Sequence, residues 1–221
     1  MSLSQSYLKS SIGKKQVMAI TGAGLIGFSL SHLLGNLLIF LGPDKFNVYG
    51  HTLTSNPLIY LAEAILLALF LGHIVIALVV NIQNRSARSQ SYYKKTRTGR
   101  GETIASKTMP WTGLILLIFL VLHLINFKYG AEYLTTVDGV EMRDLYRLLV
   151  EYFSNPLYVA WYVFAMLSFG LHTSHGFWSM TQTWGLDHPK YTPLIKCLSN
   201  AYGILVAVGF SSLAIFCYFQ N

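Results

Sequence analysis

Apolar residues in this chain come in long unbroken runs, without the alternation of half-buried strands or the narrow stripe of a surface helix. Five runs cover residues 16–41, 57–80, 109–127, 157–180 and 194–219. A helix needs about 20 residues to cross a hydrocarbon core of about 30 Å, and each run is close to that length or longer. The ten-residue alternating segments of a membrane barrel are not seen. The pattern predicts an all-α membrane protein, one domain over residues 1–221, with five transmembrane helices.

Between the runs the chain is polar. Residues 81–108 make a basic loop containing Tyr92 and Tyr93. In the loop 128–156, Val140, Leu145, Leu148, Leu149 and Tyr152 fall at near-helical spacing. That spacing predicts a short amphipathic helix within 139–153, lying on the membrane surface. Within the first run, Gly27, Ser31 and Gly35 recur every four residues. Such a stripe suits close helix packing, or equally a flat group lying against the helix. No internal repeat and no low-complexity segment stands out.

Composition agrees with the pattern. Of 221 residues 53% are hydrophobic and 11% charged, with mean hydropathy +0.46, which excludes an ordinary soluble domain. The N-terminal segment is polar and no A-x-A site follows the first run, so no cleavable signal peptide is expected.

Charge sets an expected orientation. The N-terminus, the second loop and the fourth loop hold 12 of the 16 Lys and Arg residues. The remaining 4 are Lys45, Lys128, Arg143 and Arg147, on the opposite side. The bias predicts a cytoplasmic N-terminus and an outer C-terminus. The net charge of +7 is spread over juxtamembrane loops, which suits anionic lipid or a cytoplasmic partner and argues against nucleic acid. Cys197 and Cys217 lie 20 residues apart on one run, about 30 Å along a helix, too far for a disulfide. No C-x-x-C-H occurs, so any haem is held non-covalently.

The candidate chemistry lies in the histidines. His32, His73, His123 and His172 fall one in each of the first four runs, each past its midpoint. Ionisable residues inside a membrane are expensive and need a reason. Successive helices are antiparallel, so His32 and His123 share one depth and His73 and His172 another. At 1.5 Å per residue the two layers are roughly 15 Å apart. Two pairs at two depths suit two stacked haems b with bis-histidine ligation, held inside the bundle of the first four helices. A metal or proton path is the competing reading; it favours clustering at one depth with carboxylates nearby.

Other residues are placed around these layers. His175 lies one turn beyond His172, as a candidate propionate contact or an interfacial residue. Arg85, Arg88 and Lys107 flank the inner layer and are candidate propionate donors, although basic residues are expected there anyway. Glu63 is the acidic residue within a run, about 9 Å inside the outer edge. It either relays protons to a quinone or is a protonated carboxyl bonded to a neighbouring helix. His51 and His188 are in loops.

With these residues in view, the chain resembles the single-chain, di-haem cytochrome b anchor of succinate:quinone oxidoreductases and fumarate reductases. The resemblance spans nearly the whole chain. It is carried by KKQVMAITG before His32, by SHLLGN around it, and by SKTMPWTG opening the third run. MRDLY in the outer loop and GLHTSHGFWSMTQTWG around His172 complete the set.

The resemblance implies a multi-pass protein of the bacterial inner membrane. It implies a flavoprotein and an iron–sulfur subunit on the cytoplasmic side, and electrons passing from His73 and His172 to His32 and His123. It also implies a quinone, commonly menaquinone, near the outer surface, with Glu63 and His51 as candidate quinone residues. Some relatives carry a different glutamate for proton movement, in the fourth or second span; the fourth span here has no acidic residue, and two before His172 stands Gly170. Other dehydrogenase anchors and transmembrane reductases also bury paired histidines. A haem-free transporter predicts broken helices, which are weak here.

Overall fold

The computed structural model describes residues 10–86 and 104–221, and these are helical apart from one hairpin and the connecting turns and loops. Ser10 caps the first helix, α1 (Ser11–Asn36), its Oγ accepting from Gly13 N at 3.0 Å. A 3-10 segment (Leu37–Leu41) continues it to Gly42, whose φ of 99° needs a residue without Cβ. Pro43 then opens a short helix, α2 (Pro43–Thr54), which the sequence reading did not anticipate.

Asn56 accepts from Leu58 N at 3.0 Å and starts α3 (Leu58–Ser86). The next helix, α4 (Ile104–His123), ends in a π turn over Leu124–Lys128. Asp144 caps a short α5 (Leu145–Phe153). Asn155 caps the long α6 (Pro156–Thr183), accepting from Leu157 N at 2.9 Å, and α7 is Thr192–Tyr218.

Among the described residues, four segments are long and apolar enough to cross a membrane: Ser11–Leu41, Leu58–Gln83, Lys107–Lys128 and Thr192–Tyr218. The predicted span at 157–180 forms a 28-residue helix but falls short in hydropathy. The cause is visible in its packing. Helix α6 is central, touching α1, α4 and α7, so it carries small and polar residues where the others carry Leu and Ile. Ser168, Gly170, Thr173 and Thr181 are all buried against those neighbours.

The loop 128–156 differs from expectation. Residues 140–143 are not helical. Leu134–Val137 (β1) and Val140–Arg143 (β2) form an antiparallel hairpin, with Leu134 opposite Arg143. Asp138 and Gly139, at φ of 50° and 78°, make its two-residue turn. Helix begins only at Leu145, and its apolar side is not spread on lipid. Leu148 and Phe153 are buried, and the helix packs on α2, α6 and α7.

An internal repeat, which the sequence reading did not detect, becomes visible once the elements are known. The described helices run long, short, long twice (α1–α2–α3 and α4–α5–α6), followed by α7. Met18, Thr21, Gly22, Phe28 and His32 of α1 match Met109, Thr112, Gly113, Phe119 and His123 of α4 at identical spacings. Ser-Asn-Pro-Leu occurs at 55–58 and again at 154–157, each 18 residues before a histidine, His73 or His172. The two offsets are 91 and 99 residues, so the halves differ in the length of their connection. That difference of 8 residues hid the repeat.

Helices pack in the order α3, α1, α6, α4, with α7 on the outside of α1 and α6. The α6–α7 contact is the closest. Cβ atoms added at Gly170 and Gly203 would each meet the other's carbonyl oxygen at 2.5 Å. Tyr202 clamps α7 to α1, donating to Ile26 O at 2.8 Å and meeting Ser29 Oγ at 2.5 Å. At one end of the bundle, α2 and α5 close over an apolar cluster that includes Leu33, Ile39, Phe46, Phe153 and Tyr162.

Candidate functional site: two layers of paired histidines

Four long helices each supply one imidazole, and the structure brings them together in two pairs. The rings of His73 and His172 are 6.4 Å apart, inclined at 68°. Those of His32 and His123 are 6.0 Å apart, at 88°. Each pair joins equivalent positions of the two repeats. Eleven residues separate Thr21 from His32, so the layers are about 16 Å apart along α1.

The first layer is hydrogen-bonded in a matched way. Thr21 Oγ1 of α1 lies 3.2 Å from His73 Nδ1, and Thr112 Oγ1 of α4 lies 3.2 Å from His172 Nδ1. Both hydroxyls also donate to their own helices: Thr21 to Val17 O at 2.9 Å, Thr112 to Thr108 O at 3.1 Å. A glycine follows each threonine. A Cβ at Gly22 would meet His73 Cε1 at 3.5 Å, and one at Gly113 would meet His172 Cε1 at 3.6 Å. The Thr-Gly step thus brings backbone and hydroxyl up to each ring.

The second layer is aromatic. His32 stacks on Phe28 at 5.3 Å and His123 on Phe119 at 5.5 Å, each four residues earlier on its helix. Asn36 Nδ2 donates to His32 O at 2.7 Å. His123 Nδ1 is buried without a hydrogen-bond partner among the described residues. Gly27 of the small-residue stripe has open space around it, whereas Gly35 is filled by Tyr49 of α2.

The remaining candidates are scattered. His175 is half-buried, one turn along α6 from His172. Lys107 is exposed at the start of α4. The side chain of Arg85, and all of Arg88, lie outside the described residues. Glu63 is ion-paired with Lys128 at the end of α4, each side chain about two-fifths exposed. His51 is half-buried on α2. At Gly170 a larger side chain has no room, because the Gly203 carbonyl occupies its place.

The donor set fits a haem better than a bare metal ion. No group of three or more His, Cys, Asp or Glu side chains able to hold an ion occurs among the described residues. Each layer offers two imidazoles, short of the three or four protein ligands of a zinc-type site but sufficient for the two axial positions of a haem iron. A metal–imidazole bond of about 2 Å, plus roughly 1.2 Å from ring nitrogen to ring centre, puts two trans rings about 6.4 Å apart. Both observed spacings are near that value.

Thr21 and Thr112 are the site residues that sequence reasoning missed. The signal was present in MAITG and MPWTG, each eleven residues before a histidine.

No family model matches the chain. No solved structure matches it. Over 185 residues, 83% of either chain, it is 24% identical to the succinate dehydrogenase cytochrome b558 subunit of Bacillus subtilis (strain 168). That alignment is long enough to take in most of both repeats. With its membrane-length helices and paired histidines, the chain is a homologue of the succinate dehydrogenase cytochrome b558 subunit.

Proposed function

We propose that this chain is the membrane anchor and electron-transfer subunit of a succinate:quinone oxidoreductase, holding two haems b. His73 and His172 would hold the inner haem, and His32 and His123 the outer. The observation that carries the reading is the ring spacing, 6.4 Å and 6.0 Å in two layers, in a homologue of a cytochrome b558 subunit. The bound haems supply two one-electron carriers stacked through the bundle.

The chain's own residues do the rest. Helices α1, α3, α4 and α6 all cross the membrane, making five spans with α7. The polar character of α6 is tolerated because its neighbours cover it. The charge bias puts the N-terminus in the cytoplasm, where a flavoprotein and an iron–sulfur subunit dock. The inner pair then faces the electron donor, and the outer pair faces a quinone site near the opposite surface. The Phe28 and Phe119 rings hold the outer imidazoles by stacking and keep water from that layer.

Quinone reduction consumes two electrons and two protons, and menaquinone is the acceptor proposed from the family resemblance. Glu63 and His51 are the chain's titratable groups proposed for that face. Lys128 is ion-paired with the Glu63 carboxylate. His175 together with Arg85, Arg88 and Lys107 is the proposed propionate set of the inner haem. A different di-haem dehydrogenase anchor is the second reading.

The test is a reduced-minus-oxidised spectrum of the purified complex, with haem quantified per chain and succinate as reductant. Two b haems per chain, at least one reduced by succinate, are expected. No haem refutes the cytochrome reading. Haem that dithionite reduces and succinate does not, in an intact active complex, points to another dehydrogenase.

A further inference from the structure

We infer that Thr21 and Thr112 are positioning residues. Each accepts a hydrogen bond from the Nδ1–H of an inner-layer histidine on the paired helix and thereby presents the opposite ring nitrogen, Nε2, as the iron ligand. The inference rests on the haem reading above and adds to it a role for two hydroxyls.

The argument begins with proton counting. A threonine hydroxyl has one proton and two lone pairs. In both threonines the proton is committed to the carbonyls one turn back, Val17 and Met18 for Thr21, and Thr108 and Met109 for Thr112. What each oxygen retains for the imidazole 3.2 Å away is a lone pair. Nδ1 therefore carries the hydrogen, and a neutral ring with Nδ1–H has its lone pair on Nε2. A second partner of this kind fixes tautomer and ring plane and makes the ligand more basic.

The duplicated geometry is independent support. The same Thr-Gly step recurs at the same distance from an outer-layer histidine, and it meets an inner-layer histidine the same way in both halves. A threonine that served only to satisfy its own helix would not need to face a ring twice. The outer pair lacks this arrangement. Beside His32 stands the Asn36 amide nitrogen, itself a donor, 3.4 Å from Nδ1, and His123 Nδ1 has no partner among the described residues. The two layers therefore differ in what their histidines donate to, and the two haems respond separately to loss of a threonine hydroxyl.

The experiment uses the intact complex carrying Thr21→Val, Thr112→Val and, as conservative partners, Thr21→Ser and Thr112→Ser. Haem per chain, potentiometric titration of each haem and its low-temperature EPR signal are measured. The two signals are assigned beforehand with His73→Ala and His32→Ala. The valine variants are expected to raise the midpoint potential of the inner haem and move its EPR signal. Haem at that layer is held about 10- to 100-fold more weakly, the usual cost of losing such a partner. The outer haem stays unchanged, and serine restores the inner one.

If a valine variant loses the inner haem outright, recovery with serine supports the inference and loss with serine overturns it. Unchanged inner-haem potential and EPR in both valine variants also overturn it, as does an equal shift of both haems. Absence of haem in the unmutated complex refutes the haem reading itself, a separate result.

Discussion

Asn47 of α2 is joined to Asp144 across 97 residues of chain, its Nδ2 donating to Oδ1 at 2.8 Å while its own Oδ1 accepts from Tyr146 N at 3.0 Å. The same Asp144 oxygen accepts from Arg147 N at 3.0 Å and caps α5. Asn47 is almost fully buried, so each polar atom needs its partner. Removing it with Asn47→Ala strands a cap and a backbone N–H together. A loss of about 2–3 kcal/mol is expected for the α2–α5 surface layer. Limited proteolysis of the 128–155 segment in the purified complex measures it; unchanged protection contradicts the assignment.

The mutual contact of Gly170 and Gly203 makes a second prediction. An alanine at either position drives a Cβ into a backbone carbonyl of the facing helix, and backbone cannot move aside as a side chain can. Gly170→Ala or Gly203→Ala is expected to cost about 1–3 kcal/mol or more and to loosen α7 from α6. Thermal denaturation of the complex in detergent reads this, with Gly176→Ala as control because nothing lies near its Cβ position.

The histidine pairs predict a grouping of phenotypes. His32→Ala and His123→Ala are expected to lose the same haem, and His73→Ala and His172→Ala the other, each leaving one haem per chain. Haem extraction and spectral assignment check this. Loss of one haem by His32→Ala and of the other by His123→Ala breaks the pairing.

Glu63 and Lys128 form one unit, so their substitutions are expected to agree. Glu63→Gln and Lys128→Met should leave haem content and haem reduction by succinate intact while lowering quinone turnover. Turnover at the unmutated level in both makes the pair a clasp between α3 and the end of α4. Exposed pairs of this kind are worth only about 0–1 kcal/mol, so no measurable loss of stability is expected.

Much of the fold was legible because membrane physics acts on one helix at a time. A run of about 20 apolar residues is a local property, and the runs anticipated long helices throughout. Histidine depth follows from the same ruler, and His32 comes out level with His123, its neighbour in the structure. The element misread was the stretch at 140–143, where Asp138-Gly139 was a readable hairpin signal that helical spacing further along overrode. Helix α2 is short and mixed in polarity, without the long apolar run that marks the other helices, and Pro43 at its first position is the local signal that starts it.

By itself, then, the chain's pattern determined that this is a helical membrane protein and where its long apolar helices run. Each of those is set by the transfer of single residues or single helices from water to hydrocarbon. Only the tertiary structure decided which helices are neighbours, because lipid tails are as apolar as leucine and give no preference among apolar faces. That choice rests on close fits such as Gly170 against Gly203, and on hydrogen bonds such as Thr21 to His73 and Thr112 to His172. Their partners lie 33, 52 and 60 residues apart, and no local pattern in the sequence measures the distance between them.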